Sequence, residues 1–264
     1  MTASLPARAR RVHSCGRPGS IRSDTARCRE VDRRGVVALD VYGTVVDTTG
    51  IALRLGEHFG SRAAAAAQLW RQRQLEFTFR RALMRLYVDF DECTAQALRS
   101  VSADLRIPLD EAAERVLLQA YLRLPPFPDV RGGLESLRRS GHKLVALTNG
   151  TERSVRGLLA HAGIDGYFET ILSAERSRTF KPDPAVYALL REVTDAYPTQ
   201  ACLVSANPFD VIGAKACGLT TAWLRRDPEK IFDPWELTPD VVIQTLETLP
   251  DALRRLNFPA SRNS

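Results

Sequence analysis

The chain has 264 residues, of which 44% are hydrophobic and 26% are charged, as expected for a globular protein with one domain or one domain plus an insertion. No apolar run in the sequence approaches the length of a membrane span, so we expect no membrane partner. The net charge of +6 is contributed entirely by residues 1–34, and the neutral remainder argues against nucleic acid as a partner of the folded body.

Residues 1–34 form an arginine-rich leader with nine arginines, three acidic residues and few side chains that could build a core. The leader lacks the apolar stretch of a secretory signal, which predicts a disordered basic tail outside the fold and leaves an organelle-targeting segment as the alternative. The five cysteines of the chain show no CxxC spacing and the four histidines form no spaced pair. We therefore expect reduced thiols in a cytoplasmic protein, and no zinc site.

The first predicted strand covers residues 36–40. Its run Val36-Val37-Ala38-Leu39 is typical of a strand that is covered on both faces. Asp40 ends the strand, and in an open α/β sheet that end is where ligands bind. The alternative is that Asp40 only caps the following turn or helix.

Residues 50–125 carry almost no strand signal. The stretch 61–90 predicts one long helix, and the stretches 91–105 and 109–124 predict two shorter helices. We interpret this block as a helical cap subdomain inserted after the first strand, with a crevice between the cap and the strand ends.

Strands and helices alternate in the rest of the chain, which is typical of a doubly wound, Rossmann-like α/β fold with a parallel sheet. The predicted fold is thus an α/β core domain, residues 35–49 and 126–258, with a helical cap, residues 50–125, and with the leader 1–34 outside the fold. Further strands are predicted over 143–147, 169–172, 200–204, 220–224 and 240–243, and core helices over 130–140, 152–162, 183–196, 208–217 and 246–256.

Polar side chains follow three of the predicted strands. Thr148 and Asn149 come after the strand 143–147, and Ser205, Asn207 and Asp210 come after the strand 200–204. Because the carboxyl ends of parallel strands share one edge of the sheet, these groups and Asp40 are expected to converge. One strand that ends in polar residues is explained by turn formation alone. Three such strands, together with Lys181 just before a predicted helix, indicate a ligand-binding or catalytic site.

Four motifs carry a family resemblance: "LDVYGTVVD", "LTNGT", "FKPDPAVY" and "VSANPFDVIGAKACG". They resemble the motifs of the haloacid dehalogenase-like hydrolase superfamily over residues 35–255. Most members of that superfamily are phosphatases with Asp-x-Asp in the first motif, whereas this chain has Asp40-Val41-Tyr42. Together with "LWRQRQLEFTFRRALMRLYVDF", this sequence is similar to the L-2-haloacid dehalogenases, the type II haloacid dehalogenases.

The resemblance implies an (S)-2-haloacid dehalogenase that converts short L-2-haloalkanoic acids and water to D-2-hydroxy acids. It implies an ester intermediate on Asp40, no metal, no cofactor and a homodimer. By the same resemblance the catalytic residues are Asp40, Thr44, Arg71, Lys181, Tyr187, Ser205, Asn207 and Asp210. The substrate-binding residues are Val41, Tyr42, Arg71, Leu75, Phe90, Thr148, Asn149 and Phe209.

The residue types suit these roles. A carboxylate such as Asp40 can form an ester and be released by hydrolysis, and an ammonium such as Lys181 would keep it ionised. Asp210 could polarise water, and the guanidinium of Arg71 suits a carboxylate or a halide. Thr148 stands where serine is frequent in the family, and Phe209 stands where an indole is frequent.

Structural alternatives exist for several of these residues. Lys181 could be a solvated surface lysine, and Ser205 or Asn207 could serve as the N-cap of the helix after Pro208. For Tyr187, packing alone is an alternative.

Two other functions compete with dehalogenation. A magnesium-dependent phosphatase of the same superfamily could hold its metal on Asp40 and Asp210, but Tyr42 replaces the general acid that such an enzyme needs. A non-catalytic binding module that retains the fold is the second alternative, and the joint presence of the charged site residues argues against it.

Overall fold

Six parallel strands form a single sheet in residues 34–260, the part of the chain that this computed structural model describes. The strands are β1 (Val36–Leu39), β2 (Lys143–Thr148), β3 (Thr170–Ser173), β4 (Ala201–Ser205), β5 (Thr220–Leu224) and β6 (Val241–Ile243). Their order across the sheet is β3-β2-β1-β4-β5-β6, and every neighbouring pair is parallel. The predicted parallel α/β sheet is confirmed, with strand ends within one residue of the predicted positions. The predicted leader lies outside the described residues apart from its last residue, Arg34.

Strand β1 lies where the strand order reverses direction. It pairs with β2 on one side and β4 on the other, so that Leu39 lies opposite both Ala146 and Val204. All four residues of β1 are buried, with alternate side chains packed into two hydrophobic clusters on opposite faces of the sheet. A crevice opens at such a reversal, at the carboxyl ends of the strands.

Four helices lie between β1 and the first helix of the core. They are α1 (Ala52–Phe59), α2 (Ala63–Met84), α3 (Phe90–Asp104) and α4 (Glu111–Tyr121). Three of them were predicted. The short α1 was not, although the four-residue spacing of its buried Leu55 and Phe59 is a helical signal.

The long helix predicted over 61–90 ends early, at Met84. Arg85 adopts a left-handed conformation with φ of 56° and ends the helix, and the side chain of Asp89 then accepts a hydrogen bond from the amide of Glu92 to start α3. The described residues all belong to one compact unit, and the division into core domain and cap subdomain stays a prediction.

Five further helices flank the sheet: α5 (Val130–Arg139), α6 (Glu152–His161), α7 (Pro184–Thr194), α8 (Pro208–Ala216) and α9 (Leu249–Arg255). Each agrees with a predicted helix to within a few residues at its ends. None of the helices in residues 34–260 has the length and apolar character needed to cross a membrane.

Arg226, which follows β5, fixes the turn after β1. Its guanidinium donates to the carbonyl oxygen of Thr44 at 2.7 Å and to the carboxylate of Asp129 at 2.6 Å. It also stacks 4.0 Å from the centroid of the Phe127 ring. The turn after β1 is therefore held in place by the segment that follows β5.

Two helical glycines provide a test of packing. A Cβ at Gly133 on α5 would lie 2.6 Å from Cγ of Leu246, whereas a Cβ at Gly157 on α6 would meet no atom within 4 Å. We expect Gly133→Ala to lower the free energy of unfolding by about 1–3 kcal/mol through overpacking. Gly157→Ala should leave it unchanged or raise it by up to about 1 kcal/mol, because alanine favours helix. Denaturant unfolding measures both values, and equal effects would contradict this description of the α5 interface.

Candidate active site

The carboxyl ends of β1, β2 and β4 carry the predicted polar groups. The amide of Asp40 still donates to Val204 at 3.0 Å, so the side chain of Asp40 leaves the sheet at the end of β1. Gly43, with φ of +83°, permits the tight turn in which the carbonyl of Val41 accepts from the amides of Val45 and Val46. The turn directs the chain away and leaves the strand end open.

The carboxylate of Asp40 has two unequal oxygens. Oδ2 accepts hydrogen bonds from Thr44 Oγ1 at 2.7 Å, Asn207 Nδ2 at 2.8 Å and Ser205 Oγ at 3.3 Å. Oδ1 accepts from Lys181 Nζ at 3.2 Å. Three donors thus fix Oδ2, while Oδ1 keeps lone-pair capacity for another partner.

The ammonium of Lys181 lies between two carboxylates. Its Nζ is 3.2 Å from Asp40 Oδ1 and 2.8 Å from Asp210 Oδ2, and the residue is 1% exposed, which excludes a solvated surface lysine. Burial pushes the pKa of Lys181 down, but the charges of Asp210 and Asp40 together push it further up, so it lies above its ordinary value. Lys181 is therefore a permanent cation beside Asp40, and Asn149 Oδ1 holds its backbone amide at 2.8 Å.

Asp210 in the first turn of α8 is completely buried. Burial raises its pKa, the charge of Lys181 opposes that shift, and the charge of Asp40 adds to it. Its Oδ1 accepts from the hydroxyl of Tyr187 at 2.9 Å, and its backbone carbonyl accepts from the same hydroxyl at 3.1 Å. Tyr187 thus positions Asp210 in addition to packing in the core.

Arg71 reaches the site from α2. Its Nη2 donates to the carbonyl oxygen of Tyr42 at 3.2 Å, and its Nη1 donates to Gln74 Oε1 at 2.7 Å. The other arginines of this helix bind elsewhere: Arg73 and Arg80 pair with Glu76, and Arg81 donates to Gln96 Oε1 at 2.8 Å. Arg71 is therefore the arginine of α2 that reaches the turn after Asp40.

A small cavity lies over Asp40. Aromatic rings form much of its wall: Tyr42 lies 5.1 Å from Phe90, and Phe209 packs edge-on against Phe79 at 5.1 Å, both measured between ring centroids. The lining residues are Asp40, Tyr42, Arg71, Leu75, Phe90, Asn149, Lys181, Asn207 and Phe209, all of them predicted site residues.

Two predicted substrate-binding residues do not line the cavity with their side chains. Thr148 is completely buried, and its hydroxyl accepts from the amide of Gly150 at 3.1 Å. The side chain of Val41 packs in the hydrophobic core, so only its backbone is available to a ligand. Gly150 is itself required here, because a Cβ would lie 2.8 Å from Cε2 of Tyr42.

Sequence reasoning missed several residues around Arg71. Gln74 and Tyr121 contact it or its partners from buried positions, and the three-residue spacing of Arg71 and Gln74 on one helix face is a signal that could have found Gln74. Lys230 lies near Arg71 as well, and its Nζ donates to the carbonyl oxygen of Ala206 at 3.1 Å. No sequence signal indicates Lys230, because a distant loop brings it there.

The two acidic residues of the site, Asp40 and Asp210, face the same lysine. Among residues 34–260, no group of three or more histidine, cysteine, aspartate or glutamate side chains lies close enough to hold a metal ion together. Asp40 and Asp210 each face the Lys181 ammonium, so a cation already stands between the two carboxylates.

Comparison with known proteins assigns the chain to a family. The model of the haloacid dehalogenase-like hydrolases matches residues 35–218. The haloacetate dehalogenase H-2 of Moraxella sp. (strain B) is 35% identical over 213 residues, which cover 81% of this chain and 95% of that protein. The (S)-2-haloacid dehalogenase of Pseudomonas sp. (strain YL) is 36% identical over 213 residues, covering 81% of this chain and 91% of that protein.

Solved structures agree with this assignment. The L-2-haloacid dehalogenase of Xanthobacter autotrophicus superposes with a TM-score of 0.78 at 32% identity, covering 84% of this chain and 99% of that chain. A second structure of that enzyme, with chloropropionic acid covalently bound, gives the same TM-score and identity over 84% of this chain and 98% of that chain. This chain belongs to the haloacid dehalogenase-like hydrolases, in the branch of the L-2-haloacid dehalogenases.

Proposed function

We propose that this protein is an (S)-2-haloacid dehalogenase that hydrolyses short L-2-haloalkanoic acids to D-2-hydroxy acids without a metal or cofactor. One observation carries the proposal: the Asp40 carboxylate, whose Oδ1 accepts a hydrogen bond from Lys181 and keeps lone-pair capacity to react, faces a small cavity lined by Arg71 and aromatic side chains. The names of the relatives support the substrate class, and the covalently bound chloropropionic acid in one neighbour supports a covalent intermediate.

In the first proposed step, Oδ1 of Asp40 attacks C2 of the substrate from the side opposite the halogen. The new carbon–oxygen bond forms as the carbon–halogen bond breaks, and the halide leaves with the bonding electron pair, which inverts C2. Arg71 binds anionic charge on the substrate carboxylate or the departing halide. A departing halide needs no proton, so the site needs no general acid at Tyr42. Burial raises the pKa of the Tyr42 hydroxyl well above its ordinary value, so this residue is a poor proton donor.

In the second proposed step, water attacks the carboxyl carbon of the Asp40 ester. Asp210 takes one proton from the water and passes it to the C2 oxygen as the hydroxy acid leaves. The regenerated Asp40 then ionises, so one proton is released for each halide. The dry aromatic wall formed by Tyr42 and Phe90 excludes further water.

The phosphatase alternative fits the site less well. A magnesium ion held by Asp40 and Asp210 would share both carboxylates with the Lys181 ammonium, which lies 3.2 Å from one and 2.8 Å from the other. Tyr42 also occupies the place of the general acid. A non-catalytic module has no need for a buried cation beside Asp40 and Asp210.

We also propose that the protein is a cytoplasmic homodimer. The resemblance supports the dimer, and the free thiols of Cys93, Cys202 and Cys217 support a reducing compartment. Light scattering of the purified protein, and fractionation of cells that express it naturally, test the two parts separately. A monomer at micromolar concentration, or recovery outside the cytoplasm, would refute the corresponding part.

Replacement of the nucleophile should abolish turnover. We expect Asp40→Asn to lower halide release from L-2-chloropropionate by more than about 1,000-fold, with the fold retained by circular dichroism. A single turnover of excess wild-type enzyme in heavy-oxygen water should place the label in Asp40, as mass spectrometry of the peptide would show. Label that appears directly in the hydroxy acid would refute the ester, and phosphate release abolished by a chelator would favour the phosphatase.

Removal of the central cation should affect stability and activity together. Lys181→Met leaves two buried carboxylates without a counter-ion, so we expect the free energy of unfolding to fall by about 3–5 kcal/mol and halide release to be lost. The control is Lys215→Met, because Lys215 forms a partly exposed pair with Asp240 at 2.6 Å. This control should cost no more than about 1 kcal/mol and keep full activity. Similar losses in the two variants would contradict the described role of Lys181.

The pH dependence of kcat should follow the protonation of Asp210. Burial raises its pKa, so the residue takes up a proton at a higher pH than an ordinary aspartate, and a protonated Asp210 cannot accept a proton from water. We expect kcat to fall on acidification with a midpoint above the usual range of about 3.9. Asp210→Asn should release one halide per active site in a rapid burst and then stop. Steady turnover by this variant would remove Asp210 from the hydrolysis step.

A further inference from the structure

A buried hydrogen-bond network holds the guanidinium of Arg71 from behind. Arg71 Nη1 donates to Gln74 Oε1 at 2.7 Å, and the hydroxyl of Tyr121 donates to the same oxygen at 3.1 Å. Gln74 Nε2 donates to Thr94 Oγ1 at 2.6 Å, and Thr94 Oγ1 donates to the carbonyl oxygen of Phe90 at 2.7 Å. The network joins helices α2, α3 and α4 and ends on the backbone of an aromatic residue that lines the cavity.

The chemistry of the partners allows only one orientation of the Gln74 amide. The carbonyl of Phe90 can only accept, so the Thr94 hydroxyl must donate its proton there and is left as an acceptor. Nε2 of Gln74 must therefore face Thr94, which turns Oε1 toward Arg71. Since a guanidinium can only donate, the same orientation satisfies Arg71.

Burial makes the network rigid. Gln74 is 0% exposed, and Thr94 and Tyr121 are 4% exposed each. Water therefore cannot replace any of these partners, and each lost bond would leave a buried polar group unsatisfied. The indole of Trp70, the neighbour of Arg71, adds a hydrogen bond to the carbonyl oxygen of Thr94 at 2.9 Å.

The front of the guanidinium is fixed as well, by the bond from Nη2 to the carbonyl oxygen of Tyr42 at 3.2 Å. Two of the five N–H groups of the Arg71 guanidinium are thus engaged by Gln74 and Tyr42, and the guanidinium lines the cavity. A guanidinium held at a cavity wall suits a charge-assisted grip on a carboxylate. A rotated guanidinium would lose that placement.

We propose that Gln74 is a positioning residue, whose amide holds the Arg71 guanidinium in the orientation that keeps it at the cavity wall, where it meets an anion. The anion is the carboxylate or halide of the substrate, and in this respect the inference rests on the proposed function. Gln74 touches no substrate and acts through Arg71 alone.

Two substitutions separate position from charge. Gln74→Leu removes the acceptor and leaves Arg71 free to turn. Gln74→Glu keeps an acceptor but places a carboxylate beside Arg71. This carboxylate then competes with the substrate anion for the guanidinium. We expect both variants to lose roughly 10- to 100-fold in kcat/KM, and we expect the loss in Gln74→Glu to be mainly in KM.

A double-mutant cycle with Arg71→Ala is the decisive experiment. If Gln74 acts through Arg71, Gln74→Leu should cause no further loss once Arg71 is gone. Halide release from L-2-chloropropionate gives one cycle. The dissociation constants of bromide and D-lactate, from halide NMR line broadening and calorimetry, give a second cycle that needs no turnover.

The control is Gln68→Leu, because Gln68 is an exposed glutamine on the same helix and should show wild-type kinetics. If Gln74→Leu does not fold, Tyr121→Phe removes one donor to the same oxygen and is tested in the same cycle. Equal losses from Gln74→Leu with and without Arg71, in turnover and in anion binding, would overturn the inference and leave the proposed function intact. If the wild-type protein releases no halide but the two substitutions remain coupled in anion binding, the proposed function alone is overturned. If it releases no halide and the effects of the two substitutions on anion binding are additive, both the proposed function and the inference are overturned.

Discussion

The placement of the Lys181 ammonium between two buried carboxylates is the constraint on which the site depends. A buried carboxylate is costly unless a cation compensates it, and here one cation compensates both Asp40 and Asp210. The three residues come from distant parts of the chain: the end of β1, the segment before α7 and the first turn of α8. Only the strand order, with β1 between β2 and β4, brings these segments to one edge. The fold and the electrostatics of the site therefore specify each other.

The helices inserted after β1 supply a different kind of chemistry. The sheet edge contributes the Asp40 carboxylate and its counter-ion, whereas α2 and α3 contribute Arg71, Leu75 and Phe90. On the side of these helices, the cavity wall carries one positive charge between apolar side chains. Because apolar walls lower the local dielectric, the attraction of Arg71 for an anion is stronger there than in water. In the proposed reaction, a small anionic substrate is thus drawn toward the Asp40 carboxylate.

The sequence predicts the sheet edge better than it predicts the inserted helices. Asp40, Asn207 and Asp210 follow apolar strands at places where any doubly wound fold binds ligands, so their positions are fixed by local patterns and one topological rule. Helix α2 ends early, at Met84, because Arg85 adopts a left-handed backbone conformation although it lies in a stretch of good helix formers. Gln74 looks like any other polar residue of its helix, and its complete burial follows only from how α3 and α4 pack against it. The end of α2 and the burial of Gln74 depend on tertiary packing, which the local periodicity of the sequence does not predict.

The unequal oxygens of Asp40 connect the two steps of the proposed reaction. When Oδ1 forms the ester, Oδ2 becomes the carbonyl oxygen of that ester. Water that attacks the carboxyl carbon drives negative charge onto Oδ2, which lies within 3.3 Å of donors on Thr44, Ser205 and Asn207. In the proposed reaction, the donors that hold Asp40 for the first step would therefore form an oxyanion hole for the second. This double use explains why a turn hydroxyl, a strand-end hydroxyl and an amide converge on one oxygen while the other is left to a single ammonium.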